Sequence, residues 1–260
     1  DKNAIESHWL NHPDVKHFEE DILTLDLTEL GRLVENKRAE FPNAKVILWA
    51  SLECTNFSKA KGGQPRDADS RTLAEHLDRY IIAIEPDYVQ IENVVEFMSW
   101  GPLDENGKPV SRKNGSDWMR WRKLLCTHGY VDNWKELNSA NFGAYTSRNR
   151  LFGCFAKPWL PIVFPEPTYS KNPSKLSIHG DLKKWKAVKE VLNFEDEGES
   201  IFTRKKHLSD KTLERIYAGL IKYVAKGDKT FISKYFSGRP KGKVNSVDDP
   251  LSTITTFGRS

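Results

Sequence analysis

Four reactive side chains stand next to strand-like runs in this 260-residue sequence. Cys54 follows the apolar run at 44–49, and Glu92 closes a second β-rich run. Arg148 and Arg150 come just before a third run. A thiolate is a nucleophile, a carboxyl group can move a proton, and a guanidinium group binds oxyanions. These groups together predict covalent catalysis, provided that the fold brings them to one place.

Each of these residues also has a simpler interpretation. Cys54 could be a buried structural thiol, Glu92 a surface carboxylate at a strand end, and the arginines part of a solvent-facing edge. Cys126 and Cys154 lie in apolar settings and are predicted to be core residues. No spacing of His and Cys residues predicts a metal site. The catalytic interpretation of Cys54 therefore depends on its partners.

Strand-like and helix-like segments alternate up to residue 156, which predicts an α/β fold with a doubly wound sheet. The pattern predicts a strand and loop at 15–25, a helix at 27–36, a central strand at 44–51 buried on both faces, a helix at 70–86, a strand at 87–94, a helix at 117–130, and a strand, loop and strand up to 156. Ligands bind such sheets at the carboxyl ends of the strands, so the reactive residues are expected to converge there.

The alternation stops in the proline-rich stretch 157–174, which is the predicted linker. Beyond it, 181–192 and 210–225 look helical, and the remainder looks irregular. The net charge is +4, but residues 171–243 contain 18 Lys and Arg against 9 Asp and Glu. Such a basic segment either faces a polyanion or forms a solvated lysine-rich helical face, and composition alone favours neither.

Other features of the whole sequence limit the class of protein. Three cysteines are too few for a disulfide framework and predict a reducing compartment, so a cytoplasmic location is expected. No apolar run approaches the roughly 18 residues that a membrane helix needs. The first residues do not resemble a signal peptide.

Several segments, in order along the chain, resemble the motifs of the cytosine-C5 DNA methyltransferases. They extend from about Asn11 to Thr256. They are NHPDVKHFEEDI (11–22), WASLECTNFSKAKGG (49–63), SRTL (70–73), IENV (91–94), NSANFGAYTSRNRLF (138–152), FISKYFSG (231–238) and SVDDPLSTITT (246–256). One motif would be a weak signal, whereas the ordered series is specific.

The resemblance implies the Rossmann-like, doubly wound sheet of class I methyltransferases, with a smaller target-recognition region attached. It divides the chain into a catalytic domain at 1–156, a target-recognition and linking region at 157–245, and a return segment at 246–260. The implied reaction transfers a methyl group from S-adenosylmethionine to carbon 5 of a cytosine flipped out of double-stranded DNA. The implied protein is a bacterial or phage monomer that needs no metal or membrane and serves restriction-modification or solitary DNA methylation.

The resemblance also gives roles to single residues. Cys54 would add to carbon 6 of the cytosine ring, and Glu92 would share a proton with ring nitrogen 3. Arg148 and Arg150 would bind the cytosine carbonyl oxygen, a flanking phosphate or Glu92. The residues implied on the adenine side of the cofactor are Asp21, Ile22 and Leu73. Those implied on the substrate side are Ser51, Asn93, Val94, Ser58 and Lys61.

The sequence departs from the family pattern in several places. Glu53 and Thr55 replace the residues that usually flank the cysteine, and Thr146 replaces the usual Gln before the two arginines. The Gly-rich turn that grips the methionine part of the cofactor is not found, since Gly31 is the first glycine. We therefore expect a chain truncated at both ends that binds S-adenosylmethionine weakly. Two alternatives stay open: a catalytically silent DNA-binding remnant, and a tRNA cytosine-C5 methyltransferase.

Overall fold

The computed structural model describes residues 2–52, 74–102, 104–105, 110–111, 114–173, 181–196, 198, 200–234 and 239–253. The chain forms two compact units. The first unit comprises Asp1–Glu136 and Arg150–Phe164, and the second comprises Leu137–Asn149 and Pro165–Ser260. The functional division into 1–156, 157–245 and 246–260 stays a prediction.

Helices and strands alternate in the first unit and give way to short strands in the second. The described helices are α1 (Lys2–Asn11), α2 (Thr28–Glu40), α3 (Leu77–Ile84), α4 (Ser116–Cys126) and α5 (Asp210–Lys222). The described strands are β1 (Ile47–Ser51), β2 (Tyr88–Asn93), β3 (Val131–Asn138), β4 (Thr146–Ser147), β5 (Asn149–Ala156), β6 (Tyr169–Ser170), β7 (Lys183–Lys184), β8 (Ile232–Ser233), β9 (Val244–Asn245) and β10 (Leu251–Ser252). None of these helices is long and apolar enough to cross a membrane.

A four-stranded mixed sheet organises the first unit, in the spatial order β1-β2-β5-β3. β1 and β2 are parallel, and β5 runs antiparallel to β2. One face of the sheet packs against α3 and α4, which contribute Ile81, Trp121 and Leu125 to the core. Burying each such side chain stabilises the fold by about 1.5–3 kcal/mol. The predicted α/β class is confirmed, and with it the helices that begin near residues 28 and 116 and the strands at 88–93 and 149–156.

Three predicted elements are wrong. Residues 15–25 contain no strand, because a turn begins at Asp21, whose backbone oxygen accepts from Leu25 N at 2.8 Å. The strand at 44–51 is not buried on both faces, since Ile47 and Trp49 are each 58% exposed and β1 lies at an edge of the described sheet. The helix at 181–192 is replaced by β7 and a single 3₁₀ turn, because backbone groups near 183–185 bond to the strand at 169–170 instead.

Gly153 in β5 lies directly against the indole ring of Trp134. A Cβ atom added at Gly153 would stand 2.4 Å from Trp134 Cζ3. The indole cannot easily move away, because its Nε1 donates to Asp132 Oδ2 at 2.6 Å and its ring packs edge-on against Phe155. We expect Gly153→Ala to lower the free energy of unfolding by about 1–3 kcal/mol, measured by urea denaturation.

The matched control for this prediction is Gly242→Ala, because nothing lies within 4 Å of the Cβ atom that the substitution would add. This control is expected to unfold like the wild type. A Gly153→Ala protein with unchanged stability would contradict the packing of Trp134 on β5.

The described residues of the second unit form paired short strands and the helix α5. β4 pairs with β10 and β6 with β7, both in parallel, and β8 pairs with β9 in antiparallel. α5 packs against β8 and β9, and its Gly219 lies under the ring of Phe231. The segment that ends at Ser147 is thus joined to chain more than a hundred residues further on, where Thr253 Oγ1 donates to Ser147 O at 3.3 Å.

Candidate active site

The carboxyl ends of β1 and β2 lie side by side and carry two of the predicted site residues. Ser51, the last residue of β1, pairs with Glu92 in the parallel register. In the antiparallel register of β2 with β5, Glu92 pairs with Phe152. Arg150 is two residues from Phe152, and strand side chains alternate between faces, so Arg150 points to the same face as Glu92.

Glu92 and Arg150 form an ion pair at this edge of the sheet. The Arg150 Nε atom lies 3.0 Å from Glu92 Oε1, and the two side chains are 17% and 23% exposed respectively. The pair is therefore largely shielded from water but still accessible to a bound molecule. A carboxyl group and a guanidinium group placed side by side can bind a planar ring at two points. The guanidinium group donates to an acceptor oxygen on the ring, and the carboxyl group contacts a ring nitrogen.

Asn93 joins the end of β2 to the chain that leaves β1. It is only 2% exposed, and its Nδ2 donates to Leu52 O at 3.4 Å while its Oδ1 accepts from Val94 N at 2.8 Å. Val94 is buried too, so its side chain contacts the core. Ser51 is exposed, and its Oγ accepts from Trp49 Nε1 at 3.1 Å. The backbone just before the cysteine segment is thus held by a buried amide.

Four predicted site residues lie outside the described part of the chain. These are Cys54, Ser58, Lys61 and Leu73, all within 53–73. The last described residue before this segment is Leu52, two positions before Cys54. It directly follows Ser51, which pairs with Glu92 near the ends of β1 and β2.

Arg148 belongs to the second unit, where its side chain is exposed. Its backbone is fixed by Ser139, whose Oγ accepts from Arg148 N at 3.0 Å and whose N donates to Arg148 O at 3.0 Å. The neighbouring side chains add to this, because Asn138 Nδ2 donates to Ser147 Oγ at 3.0 Å. A rigid loop therefore presents the Arg148 side chain to solvent.

Asp21 and Ile22 lie on a turn that α3 holds in place. The Asp21 carboxylate accepts from Leu23 N at 2.9 Å, which stabilises the turn. Tyr80 Oη donates to Ile22 O at 2.8 Å, and Arg79 donates to Leu23 O and to the backbone oxygen two residues later. Burial raises the pKa of the Tyr80 phenol. Arg79 and Tyr80 carry no sequence motif, and only the fold reveals their contact with a turn more than fifty residues earlier.

The two described cysteines have environments unlike that of a reactive thiol. Burial raises the pKa of Cys154, which is 3% exposed. Burial and the nearby Asp132 carboxylate raise the pKa of Cys126. Both thiols are therefore held in the protonated, less nucleophilic form. Within the described ranges, no three His, Cys, Asp or Glu side chains are arranged to bind a metal ion.

Comparison with known proteins gives one family and several distant structures. The C-5 cytosine-specific DNA methylase family matches residues 1–247. Similar solved structures are a DNA modification methyltransferase encoded within an E. coli prophage (21% identity, 64% of this chain, 40% of that chain, TM-score 0.43), S. pombe Dnmt2 methyltransferase (17%, 78%, 52%, 0.46) and Entamoeba histolytica methyltransferase EhMeth (13%, 74%, 49%, 0.43). The chain thus spans only 40–52% of the length of these three structures. No curated protein matches it.

Proposed function

The chain belongs to the C-5 cytosine-specific DNA methylase family, and from that membership we propose that it methylates carbon 5 of cytosine in double-stranded DNA through a covalent intermediate on Cys54. The observation that carries the proposal is the ion pair of Glu92 and Arg150, with 3.0 Å between Oε1 and Nε. It stands at the carboxyl end of β2, beside the end of β1 from which the cysteine segment departs.

The proposed reaction begins at Cys54. Its thiolate bonds to carbon 6 of the cytosine, and the electrons of the ring double bond make carbon 5 nucleophilic. Glu92 in its protonated form gives a proton or hydrogen bond to ring nitrogen 3, where negative charge builds, and transfer of that proton leaves the carboxylate that pairs with Arg150. Arg150 donates to the carbonyl oxygen. Once carbon 5 carries the methyl group it loses its proton to a base. The bond between carbon 6 and sulfur then breaks, which restores both the aromatic ring and the thiolate.

The other two thiols support the choice of Cys54. Cys126 and Cys154 both have pKa values raised by burial, and a protonated thiol is a poor nucleophile. Asn93 supports it in a different way, because its buried amide holds the backbone at Leu52. The backbone at Leu52, two residues before Cys54, is therefore held in place by a protein contact that needs no substrate.

The family implies S-adenosylmethionine as the methyl donor, and the turn at Asp21 and Ile22 fits the adenine end of that molecule. The Ile22 side chain is 47% exposed and can pack on a purine face, while the exposed Asp21 carboxylate can accept from an exocyclic amine. Leu73 is proposed on the same side by resemblance alone. When bound, the cofactor supplies an electrophilic sulfonium methyl group.

Methyl transfer to matched substrates tests this proposal. Purified protein is incubated with methyl-labelled S-adenosylmethionine and with a DNA duplex or an RNA hairpin of the same sequence, and the nucleosides are then analysed. We expect label in 5-methylcytosine of the DNA. Label in the RNA alone would replace the DNA proposal by the tRNA-type activity. The absence of label from both, with DNA binding retained, would favour a silent DNA-binding remnant.

A further inference from the structure

Two lysines of the second unit lie over two tyrosine rings. Lys186 Nζ is 4.8 Å from the ring centroid of Tyr145 and 5.8 Å from that of Tyr169. Lys183 Nζ is 5.9 Å from the ring centroid of Tyr169. We call these four residues the tyrosine–lysine module. Cation–π contacts orient an ammonium group without neutralising its charge.

The module has a rigid frame. Tyr169 pairs with Lys183 in the β6–β7 register. Trp185 Nε1 donates to Asn141 Oδ1 at 2.9 Å, which joins this strand pair to the loop that carries Tyr145 and Arg148. Gly143, with φ +82°, lies in that loop and faces the ring of Tyr169. A Cβ atom added at Gly143 would stand 2.7 Å from Tyr169 Cε2. The two lysines are therefore presented in a fixed arrangement.

The module and its neighbours carry one more positive than negative charge, with four lysines (Lys183, Lys184, Lys186 and Lys189) against three acidic residues (Asp181, Glu190 and Asp248). Among the described residues, no carboxylate forms an ion pair with Lys183 or Lys186. The nearby acidic groups have other partners: Glu190 accepts from Tyr145 Oη at 3.2 Å, and Asp248 pairs with Lys189 at 2.5 Å. Asp181 stands two residues before Lys183 and Lys184 stands after it, so one further charge of each sign lies in this stretch. An oriented, unneutralised cation pair attracts a polyanion.

We propose that the tyrosine–lysine module binds the phosphate backbone of duplex DNA. This inference rests on the proposed function, which supplies DNA as the partner. Single-stranded nucleic acid usually stacks its bases on free aromatic faces. Here the lysine ammonium groups already lie over the tyrosine rings, so the rings make cation–π contacts and do not offer a free face for base stacking. That arrangement suits contact with phosphates of a duplex, whose bases are paired.

Salt-dependent binding tests the inference apart from catalysis. A Cys54→Ser protein is titrated into a fluorescent DNA duplex at several salt concentrations, with anisotropy as the readout. For duplex DNA, each phosphate contact contributes about 0.9 to the slope of log affinity against log salt concentration. In that background, Lys183→Gln with Lys186→Gln is expected to reduce the slope by about 2. Affinity at about 0.1 M salt should fall at least roughly tenfold.

Two further pairs of variants serve as controls. Lys205→Gln with Lys206→Gln removes the same charge from exposed positions outside the module, and should leave the slope nearly unchanged. Lys183→Arg with Lys186→Arg keeps the charge and should keep both slope and affinity. Equal losses in the glutamine pairs would mean that only total charge counts, and would overturn the inference. The inference would also be overturned if the Cys54→Ser protein bound an RNA duplex of the same sequence equally well and the Lys183→Gln, Lys186→Gln variant lost the same affinity for that RNA.

The outcome also separates this inference from the proposed function. If the wild type methylates DNA while the glutamine variant of the module binds the duplex with the same affinity and salt dependence as the Cys54→Ser parent, only the inference about the module is refuted. If the parent binds no duplex DNA and the wild type transfers no methyl group, DNA is not the substrate and both proposals fail.

Discussion

Replacing Cys54 by Ser is expected to lower the rate of cytosine methylation by about 10⁴-fold or more, because a serine hydroxyl is scarcely ionised at neutral pH and is a weak nucleophile. The same change should abolish the covalent adduct that wild-type protein forms with DNA containing 5-fluorocytosine. Fluorine at carbon 5 cannot leave as a proton does, so the bond from carbon 6 to sulfur persists after methyl transfer. Denaturing gel electrophoresis of the protein–DNA adduct provides the measurement.

Cys126→Ser is the control for this experiment, because burial holds that thiol protonated and the proposed reaction does not use it. It should form the adduct in wild-type yield. An adduct that survives in Cys54→Ser would transfer the role of nucleophile to another residue. If no adduct forms with any variant, although the duplex is bound, the covalent mechanism itself is refuted.

Replacing Glu92 by Gln is expected to lower the methylation rate by about 10²-fold or more while leaving DNA binding and thermal stability close to wild type. Glutamine has the shape of glutamate and can accept from Arg150 or donate a hydrogen bond, but its amide cannot transfer a proton to the ring nitrogen. Proton transfer by a positioned side chain usually contributes about 10²–10⁴-fold to a rate. Single-turnover methylation with saturating DNA separates this chemical effect from binding.

Glu40→Gln is the matched control, since Glu40 is an exposed carboxylate at the end of α2 that pairs with Lys37 of the same helix. It should methylate at the wild-type rate. A Glu92→Gln protein with full activity would show that the ion pair with Arg150 is structural. A protein that loses activity only because DNA no longer binds would point to a role in substrate orientation instead.

The elements around the site differ in how well their pattern predicts them. The run at 87–94 alternates polar and apolar residues, and the structure has β2 there, with Val89 and Ile91 fully buried. The continuous apolar run that contains β1 is different, because a central strand and a strand at a sheet edge can have the same composition. Only the pairing shows that Trp49 lies on an exposed face.

The site itself is predictable in part. Motif order predicts that Glu92 and Arg150 share a site, but their 3.0 Å contact follows from the antiparallel register of β2 and β5, which no local pattern specifies. The contact of Tyr80 with Ile22 could not be predicted for the same reason, since the two residues are 58 positions apart in the chain. For the proposed DNA substrate, the motifs predict no target sequence, because base readout depends on a few side chains that follow no transferable code.

The position of α3 has a mechanical consequence. The helix begins at Leu77, just after segment 53–73, and its Arg79 and Tyr80 side chains also hold the turn at Asp21. The same helix contributes Leu77 and Ile81 to the hydrophobic core, where they are 5% and 2% exposed. Any tilt of α3 must therefore displace both this part of the core and the turn at Asp21, so the turn cannot move independently of the core.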